Sequence, residues 1–432
     1  MSKRHINRPQ DLPSLFLRLE ELVLANSGED EFEEIFKLLV AKLFDERNGR
    51  ERDFRCHESE EATFMAVANL LRGAEHAWPG ILEDCKPRLT PNHLSVCVGT
   101  IAGLELSSAG FEAMDSLFEF LVAKQAKGSK GQYFTPRYVS EFCVRAMRPR
   151  INETVLDPAC GSGSFLFQTL NFIRSAEGAK GEVLEAYCAS NLWGFDIDPR
   201  AVRVAKALMI MAGDGRSNII RLNSLLKPEM DGLFSIFASR KPGEEPALTI
   251  EDICRTRMRH HKGFDVVLTN PPFAGEVRER KFLDAYEAGH GKARVERDVL
   301  FVQRCVELLK PGGRMAIVLP HNKLSAASCE PLRAWLLNAT RINAVVGLGR
   351  NTFLPHTHQK ASVVFATKRL AEERRRPDEK ILFAVSERDG KDSTGRLKLT
   401  ENEQSGGEVW SRVDHDFDSV LDAFDQNKVI WG

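Results

Sequence analysis

The 432-residue sequence lacks several features that would assign it to a class by inspection. Its nine cysteines include no Cys-x-x-Cys pair, which argues against a zinc ribbon and, with the odd count, against a disulfide framework. No apolar run approaches the ~20 residues that span a bilayer, and no apolar segment follows the basic start of the chain as it does in a signal peptide. We therefore expect a cytoplasmic protein that is not inserted in a membrane.

Charge bias and common nucleotide motifs are also lacking. Sixty Lys and Arg residues balance 61 Asp and Glu residues, so any nucleic-acid contact has to use local basic patches. Neither a Gly-x-x-x-x-Gly-Lys-Ser/Thr loop nor a Gly-x-Gly-x-x-Gly turn occurs, which disfavours an ATP-driven motor or a pyrophosphate cradle. His260 and His261 have no further ligands at suitable spacing, so we predict no metal site.

Hydrophobic spacing divides the chain into three predicted parts. Residues 1–125 show helical periodicity and are predicted to form an all-helical interaction domain, with apolar faces near 32–43, 62–71 and 114–121. Residues 126–370 alternate strands with helices, which is typical of a doubly wound, mostly parallel α/β sheet. Residues 371–432 are polar and are predicted to form a short C-terminal extension. Seven strands are predicted, at residues 154–156, 191–195, 218–222, 265–269, 314–319, 342–348 and 362–367.

The fourth predicted strand ends in an unusual polar turn, Asn270-Pro271-Pro272-Phe273. The two prolines fix two φ angles and lack backbone donors, so the chain has to leave the sheet as a rigid turn. Open α/β sheets bind ligands at the carboxyl ends of their strands. An amide oxygen and a backbone carbonyl placed there can both accept hydrogen bonds from one exocyclic amino group, and Phe273 can stack on the ring that carries it.

Two further motifs follow the first two strands. Asp157-Pro-Ala-Cys-Gly-Ser-Gly-Ser-Phe165 opens a helix after the first strand, and its glycines allow close approach of a ligand. Because Asp157 precedes the glycines, the loop suits an amine-bearing ligand. Asp196 ends the second strand, where a carboxylate can bind ribose hydroxyls, and Asp198 is predicted to cap the helix that begins at Pro199.

These motifs, with Gly131-Gln-Tyr-Phe-Thr-Pro136 before them, resemble those of N6-adenine DNA methyltransferases in the γ order. Within that family they are most similar to the modification subunits of type I restriction-modification systems, over roughly residues 110–370. The resemblance implies a seven-stranded, Rossmann-like methyltransferase sheet that binds S-adenosylmethionine (SAM). It implies an adenine-specific DNA methyltransferase whose catalytic motif is Asn270, Pro271, Pro272 and Phe273, with Phe353 as a second aromatic residue that stacks on the flipped base.

By the same resemblance, SAM is expected at the glycine-rich loop, the ribose acid and the loop that covers them. The expected cofactor-binding residues are Gln132, Tyr133, Phe134, Thr135, Asp157, Ala159, Gly161, Ser162, Gly163, Asp196, Ile197, Asn223 and Ser224. Asn223 departs from the family pattern, because an acidic residue is usual there, and its contact is left open. The neighbours of Cys160 mark it as a loop residue and not as a nucleophile for cytosine methylation.

The resemblance also implies partners. The expected substrate is double-stranded DNA, with the helical domain facing it. Only about 60 residues follow the last predicted strand, fewer than the ~100 residues of a typical domain. Sequence recognition is therefore assigned to a separate specificity subunit within a hetero-oligomer that a restriction subunit can join. Basic clusters at 255–262 and 278–281 are either phosphate contacts or solvated surface.

Two alternatives remain open at this point. An Asn-Pro-Pro-aromatic motif also serves methylation of a glutamine amide in protein or of a base in RNA. The chain could instead be an assembly subunit that binds SAM without transferring its methyl group, which the intact Asn270 motif disfavours.

Overall fold

The computed structural model describes residues 18–19, 21, 27–48, 52–106, 135–213, 218–230, 249–258, 263–400, 412–427 and 429. The chain divides into two compact units, one of residues 1–128 with 203–216 and the other of residues 129–202 with 217–432. Residues 371–432, expected as an extension, fall in the second unit. In the described parts, no helix has both the length and the apolar composition that a bilayer crossing needs.

The first unit is built from helices. Its helices are α1 (Glu31–Asn48), α2 (Glu60–Ala77) and α3 (Pro91–Ile101). The predicted apolar face of α1 is buried, including Phe32, Ile35 and Phe36. Ser59 and Thr90 cap α2 and α3, because each side chain accepts a backbone N–H of the first turn. The helix predicted near 114–121 lies outside the described residues.

The second unit contains an eight-stranded sheet and a separate pair of short antiparallel strands. The sheet has the order β10-β8-β9-β7-β4-β1-β2-β3, and the separate pair consists of β5 and β6. Strand β9 is antiparallel to both of its neighbours, and every other pair in the sheet is parallel. The strands are β1 (Val155–Asp157), β2 (Leu192–Asp196), β3 (Asn218–Arg221), β4 (Phe264–Thr269), β5 (Glu276–Val277), β6 (Val295–Glu296), β7 (Leu309–Pro320), β8 (Thr340–Gly347), β9 (Ala361–Lys368) and β10 (Leu382–Val385).

The main sheet has eight strands, one more than the seven predicted. Strand β10 adds to the edge of the sheet in parallel with β8, in register Leu382 with Ala344. It is four residues long, and its Phe383 and Val385 side chains are 71% and 63% exposed. An edge strand is covered on one side only, so the continuous apolar run of a central strand is absent and the sequence signal is weak.

Helices cover the sheet and place its loops. Helix α5 begins at Ser164 in the glycine-rich segment and α7 begins at Pro199, as the sequence predicted, and α4 begins at Arg137. Trp193, Phe264 and Met315 belong to the apolar core of this unit. The helices that follow α3 in the described parts of the chain are α4 (Arg137–Met147), α5 (Ser164–Ala176), α6 (Glu182–Asn191), α7 (Pro199–Met211), α8 (Ile250–Arg257), α9 (Arg280–Asp284), α10 (Arg297–Leu308), α11 (Asn322–Ser325), α12 (Glu330–Ala339) and α13 (Phe417–Gln426).

Helix α13 completes the core of the second unit. Phe417 stacks on Phe142 of α4 with ring centroids 4.5 Å apart, and Phe424 meets the edge of Phe365 at 5.2 Å. Aromatic pairs in such arrangements stabilise a core beyond the area they bury. The C-terminal residues are therefore part of the packed unit and hold α4 in place.

Candidate functional site

Three predicted motifs meet at one edge of the sheet. Strands β4, β1 and β2 are parallel neighbours, so their carboxyl ends point the same way. Asp157 is the last residue of β1, Asp196 is the last residue of β2, and Asn270 directly follows β4. The glycine-rich loop and the Asn-Pro-Pro-Phe turn thus lie at the same edge of the sheet. A reaction between a ligand of one and a ligand of the other requires this arrangement.

The Asn270 side chain is buried and only half satisfied. It is 9% exposed, and its Nδ2 donates to Thr135 Oγ1 at 3.0 Å. Its Oδ1 is buried and has no hydrogen-bond partner among the residues that the structure describes. An unsatisfied buried acceptor costs about 1–3 kcal/mol. Oδ1 is therefore poised to accept a hydrogen bond from a ligand.

The two aromatic side chains expected near a substrate ring lie side by side. The Phe273 and Phe353 ring centroids are 5.7 Å apart with an interplanar angle of 70°, an edge-to-face contact. Both rings are buried, at 7% and 2% exposure. Since the rings touch each other, one of them has to move before both can face the same flat ligand.

The glycine-rich loop is tied to strand β2 by its backbone. Cys160 N–H donates to Phe195 O, and Gly161 N–H donates to Asp196 Oδ2, each at 2.9 Å. Gly161 has φ 51°, where L side chains are rarely found, and a Cβ added there would meet nothing within 4 Å. Gly163, with φ 89°, is the N-cap of α5. The loop thus presents open space above Gly161.

Asp157 lies beneath this loop as a fully buried carboxyl group. It is 1% exposed, and its Oδ1 accepts from Ala159 N–H at 3.1 Å. Burial raises the pKa of Asp157 to about 7, and the negative charge of Asp196 adds to the rise, while the Thr269 hydroxyl and the Ala159 amide oppose it. A group with this pKa changes its charge near neutral pH.

Asp196 uses its carboxylate to hold two backbone segments. Oδ2 accepts from Gly161, and Oδ1 accepts from Asp198 N–H at 2.9 Å. Burial raises the pKa of Asp196 above its ordinary value. The next side chain, Ile197, is 56% exposed. The cap predicted at Asp198 is confirmed, because its Oδ1 accepts from Arg200 N–H at 2.8 Å at the start of α7.

The loop after β3 supports the site from the other side. Asn223 Oδ1 accepts from Leu225 N–H at 3.1 Å, and the Ser224 hydroxyl donates to Pro158 O at 2.5 Å. Ser224 is 3% exposed. Arg304 Nε in turn donates to Ser224 O at 2.8 Å. The Ser224 hydroxyl thus fastens the turn after Asp157, and its assignment to the cofactor stays a prediction.

Several other predicted residues have definite places. Ala159 and Ser162 lie in the glycine-rich loop at the sheet edge, whereas Gln132, Tyr133 and Phe134 lie outside the described residues. Burial raises the pKa of the Cys160 thiol well above its usual value, so the thiol stays protonated and is a poor nucleophile. No cluster of potential metal ligands occurs among the residues that the structure describes.

Part of the predicted basic clusters is engaged locally. Arg255 pairs with Asp252, Arg278 with Glu276 at 2.9 Å, and Arg280 with Asp284 at 3.2 Å. All three arginine side chains are more than 70% exposed, so these pairs contribute little to stability. They remain accessible at the surface.

The sequence did not reveal two contacts that link the motifs. Thr135 was assigned to a cofactor, yet its hydroxyl contacts Asn270. Ser140 was not singled out, and its Oγ lies 2.7 Å from Ser164 Oγ at the start of α5. A serine in the first turn of a helix gives no signal by itself, because such residues usually bond their own backbone, as Ser140 also does with Arg137 O.

Comparison with known proteins agrees with this geometry. The N-6 DNA Methylase family matches residues 111–424. The methylase subunit of the type I restriction enzyme EcoEI from Escherichia coli is 26% identical over 251 residues, 56% of this chain and 44% of the relative. The chain thus aligns with less than half the length of that relative.

Solved structures show the same fold. A modification subunit assigned to a type I restriction enzyme of Vibrio vulnificus superposes with a TM-score of 0.65 at 19% identity, covering 99% of this chain and 92% of the other. The methyltransferase subunit of a type I restriction-modification system from Streptococcus thermophilus superposes with a TM-score of 0.60 at 16% identity, covering 97% and 93%. Because the family match spans more than half of the sequence and includes all the described motifs, the chain belongs to the N-6 DNA methylase family.

Proposed function

We propose that this protein is a site-specific DNA methyltransferase that transfers a methyl group from SAM to the N6 atom of a flipped adenine. It acts as the modification subunit of a type I restriction-modification system or of a related defence system. Family membership and the names of the relatives, which are methylase subunits of restriction enzymes, support this proposal. The single observation that carries it is the buried Oδ1 of Asn270, which no group in the described part of the chain contacts by a hydrogen bond.

The residues at the sheet edge suit SAM as the methyl donor. The space above Gly161 admits a ligand close to the backbone, and the exposed Ile197 offers an apolar surface beside Asp196. An ionised Asp157 is available to attract an ammonium group, and Asp196 to accept from ribose hydroxyls. When bound, SAM supplies an electrophilic methyl group on a sulfonium.

The chain's own residues would activate the adenine. Its N6 lone pair is delocalised into the ring, and the base has to leave the duplex to be reached. Asn270 Oδ1 and Pro271 O accept the two N6 hydrogens, which favours a pyramidal nitrogen with its lone pair available. Phe273 stacks on the base, an interaction worth about 1–3 kcal/mol. As the bond from N6 to the methyl carbon forms, the C–S bond of the sulfonium would break to leave a neutral thioether, and N6 would release one proton to water. Positioning and electrostatics thus drive a direct transfer without a covalent enzyme intermediate.

The test is methyl transfer from labelled SAM by the wild-type protein and by Asn270→Ala. Wild-type protein, with any partner subunit it needs, should label duplex DNA at adenine N6 and leave RNA and protein unlabelled. Asn270→Ala should bind SAM as the wild type does in calorimetry, because the side chain faces the base. It should lose transfer by about 100-fold or more, as when a single preorganised group is removed.

Three results would overturn the proposal. Labelling of glutamine in protein or of RNA in place of DNA would change the substrate. Near wild-type transfer by Asn270→Ala would remove the mechanism. A wild-type protein that binds SAM and labels no acceptor, even together with its genomic neighbours, would indicate an assembly role.

The proposed partners are double-stranded DNA and a separate specificity subunit, with a restriction subunit in the complete enzyme, all in the cytoplasm. All nine cysteines lie in the described ranges and none is in a disulfide there, which agrees with a reducing compartment. Mapping N6-methyladenine in DNA from cells with and without the gene, and with and without its neighbour, would test this assignment. Methylation at one sequence that disappears on loss of either gene is the expected result.

A further inference from the structure

The loop that follows strand β3 carries Asn223, a predicted cofactor residue whose contact the sequence left open. We propose that Asn223 is a specificity-determining residue whose side-chain Nδ2 donates a hydrogen bond to N1 of the adenine of SAM. The inference rests on the proposed function. It deepens that function because it names the edge of the cofactor that this loop recognises.

The order of the strands sets the direction in which the cofactor lies. Strands β4, β1, β2 and β3 follow one another across the sheet and are parallel. The methyl group has to face Asn270 after β4, while Asp157 ends β1 and the ribose is assigned to Asp196 at the end of β2. Neighbouring strands lie ~4.8 Å apart, so the adenine extends to the end of β3. N1 is the ring nitrogen farthest from the ribose and lies on the edge that faces the next loop.

Two hydrogen bonds hold this loop beside the ribose site. Leu222 N–H donates to Asp196 O at 2.9 Å, and the Ser224 hydroxyl donates to Pro158 O at 2.5 Å. Asn223 lies between the two bonded residues and is half-buried. Its backbone is therefore fixed next to the strand ends that the cofactor has to cross.

Buried side chains hold the same loop from the interior. Arg304 Nε donates to Ser224 O at 2.8 Å, and its Nη2 donates to Leu226 O at 3.2 Å. The Tyr286 hydroxyl donates to Leu225 O at 2.6 Å. Arg304 and Tyr286 are 1% and 0% exposed. A loop that is held in this way before a ligand arrives loses little freedom on binding, which favours a specific contact.

The orientation of the Asn223 carboxamide is decided by a group that can only donate. Its Oδ1 accepts from Leu225 N–H at 3.1 Å, and a reversed amide would set Nδ2 against that N–H, donor against donor. Within the ranges that the structure describes, Nδ2 donates to no acceptor. Nδ2 is therefore the end of the amide that remains for a ligand.

The chemistry of adenine matches this donor. N1 carries a lone pair and no hydrogen, so it can accept from Nδ2. Oδ1 keeps a second lone pair that can accept from the neighbouring 6-amino group, but Nδ2 is the only donor in this side chain. A carboxylate at the same position has no hydrogen to donate, so Asn223 adds a contact that an aspartate could not make.

The experiment measures by calorimetry how the full-length chain binds S-adenosylhomocysteine, the product that SAM leaves, and an analogue with CH in place of adenine N1. The wild type should bind the analogue about three- to tenfold more weakly than the parent compound, the effect of one neutral hydrogen bond.

Two variants show whether this loss depends on Asn223. Asn223→Asp keeps the shape and the acceptor for Leu225 N–H but cannot donate, and Asn223→Ala removes the contact without adding a charge. In both variants the analogue should lose no more than about twofold against the parent. The ratio of the two affinities is informative, because any general effect of a substitution acts on both ligands alike.

The failures are distinguishable. Equal binding of the two ligands by the wild type overturns this inference and leaves the proposed function standing. A loss of the wild-type size in Asn223→Asp or in Asn223→Ala would show that another group contacts N1, and it also overturns the inference. A wild-type protein that binds neither SAM nor S-adenosylhomocysteine and transfers no methyl group to DNA overturns both.

Discussion

Single side chains at the sheet edge differ mainly in what their polar atoms already bind. Asp196 uses both oxygens on backbone N–H groups, and Ser224 uses its hydroxyl on Pro158. Asn270 Oδ1 accepts from no donor in the described ranges of the chain. Asp157 has a single backbone partner and a pKa near neutrality because it is buried. These contacts show which groups already hold the loops in place, and each Asp196 oxygen keeps a second lone pair that a ribose hydroxyl can use.

The raised pKa of Asp157 predicts how stability varies with pH. In the folded protein the group titrates near 7, against an ordinary value of 3.8. Between these values the folded state holds a proton that the unfolded chain has released, so this contribution is complete below about pH 4 and is lost as pH rises through 7. Stability against urea should therefore fall less between pH 5 and pH 8 in Asp157→Asn than in the wild type.

Asparagine is a matched replacement because it keeps an oxygen that can accept from Ala159. Other acidic groups titrate in the same range, so the informative quantity is the difference between the two proteins. Parallel curves for the wild type and the variant would show that Asp157 is ionised throughout this range in the folded protein.

At the scale of elements, residues 389–395 brace two walls of the site. Tyr138 Oη of α4 donates to Asp389 O at 2.8 Å, and Asp389 Oδ2 accepts from Asn351 N–H at 3.0 Å. Lys391 Nζ donates to Leu354 O at 2.7 Å, and a Cβ on Gly395 would lie 2.7 Å from Pro355 N. This C-terminal segment thus contacts both the helix that follows Thr135 and the loop that carries Phe353.

Replacing Lys391 by methionine should loosen the Phe353 loop. The substitution keeps an apolar stem but leaves the Leu354 carbonyl without its buried donor, at a cost of about 1–3 kcal/mol. Hydrogen exchange of the amides of residues 351–357 should accelerate, and the free energy of unfolding should fall by that amount. Lys398→Met, at an exposed lysine three residues beyond this segment, is the control and should change neither quantity. Equal behaviour of the two variants would argue against the brace.

For the molecule as a whole, the chain does not divide into units at a single point. Residues 203–216, which include most of helix α7, belong to the first unit together with residues 1–128. Arg203 is 5% exposed, and its Nη1 donates to Glu33 Oε2 at 2.7 Å. Its guanidinium also lies 5.6 Å from the centre of the Phe36 ring. The helical unit is therefore completed by residues from the later part of the chain.

Arg203→Met should destabilise the helical unit. Removing the buried Arg203 takes away an ion-pair partner of Glu33, whose side chain is 13% exposed, and breaking such a pair costs up to about 3–5 kcal/mol. Chemical denaturation followed by circular dichroism should show this loss, and hydrogen exchange in α1 should rise. Glu33→Leu combined with Arg203→Met should recover part of the stability, because no charge is left buried. If the single variant is as stable as the wild type, the pair contributes nothing.

The sequence predicted elements whose signals are local. Helices α4, α5 and α7 begin directly after a proline, a glycine and the capping Asp198, which are residue types typical of helix starts. The seven strands that were predicted are apolar runs bounded by residues of this kind. Strand β10 and the antiparallel pair of β5 and β6 were missed. Strands of two to four residues that are half exposed show little periodicity in the sequence.

The motifs, their order and the class of chemistry they suit are properties of the sequence alone. Short-range rules specify them, since φ limits at proline and glycine and the capping of Asp198 act within a few residues. Which polar atoms end up bound and which stay open was decided by the tertiary structure. The partners of Asn270 and Lys391 lie 135 and 37 residues away along the chain. Only the packing of the sheet, α4 and the C-terminal segment brings them together, because hydrogen bonds between such distant residues depend on the whole fold and not on local propensity.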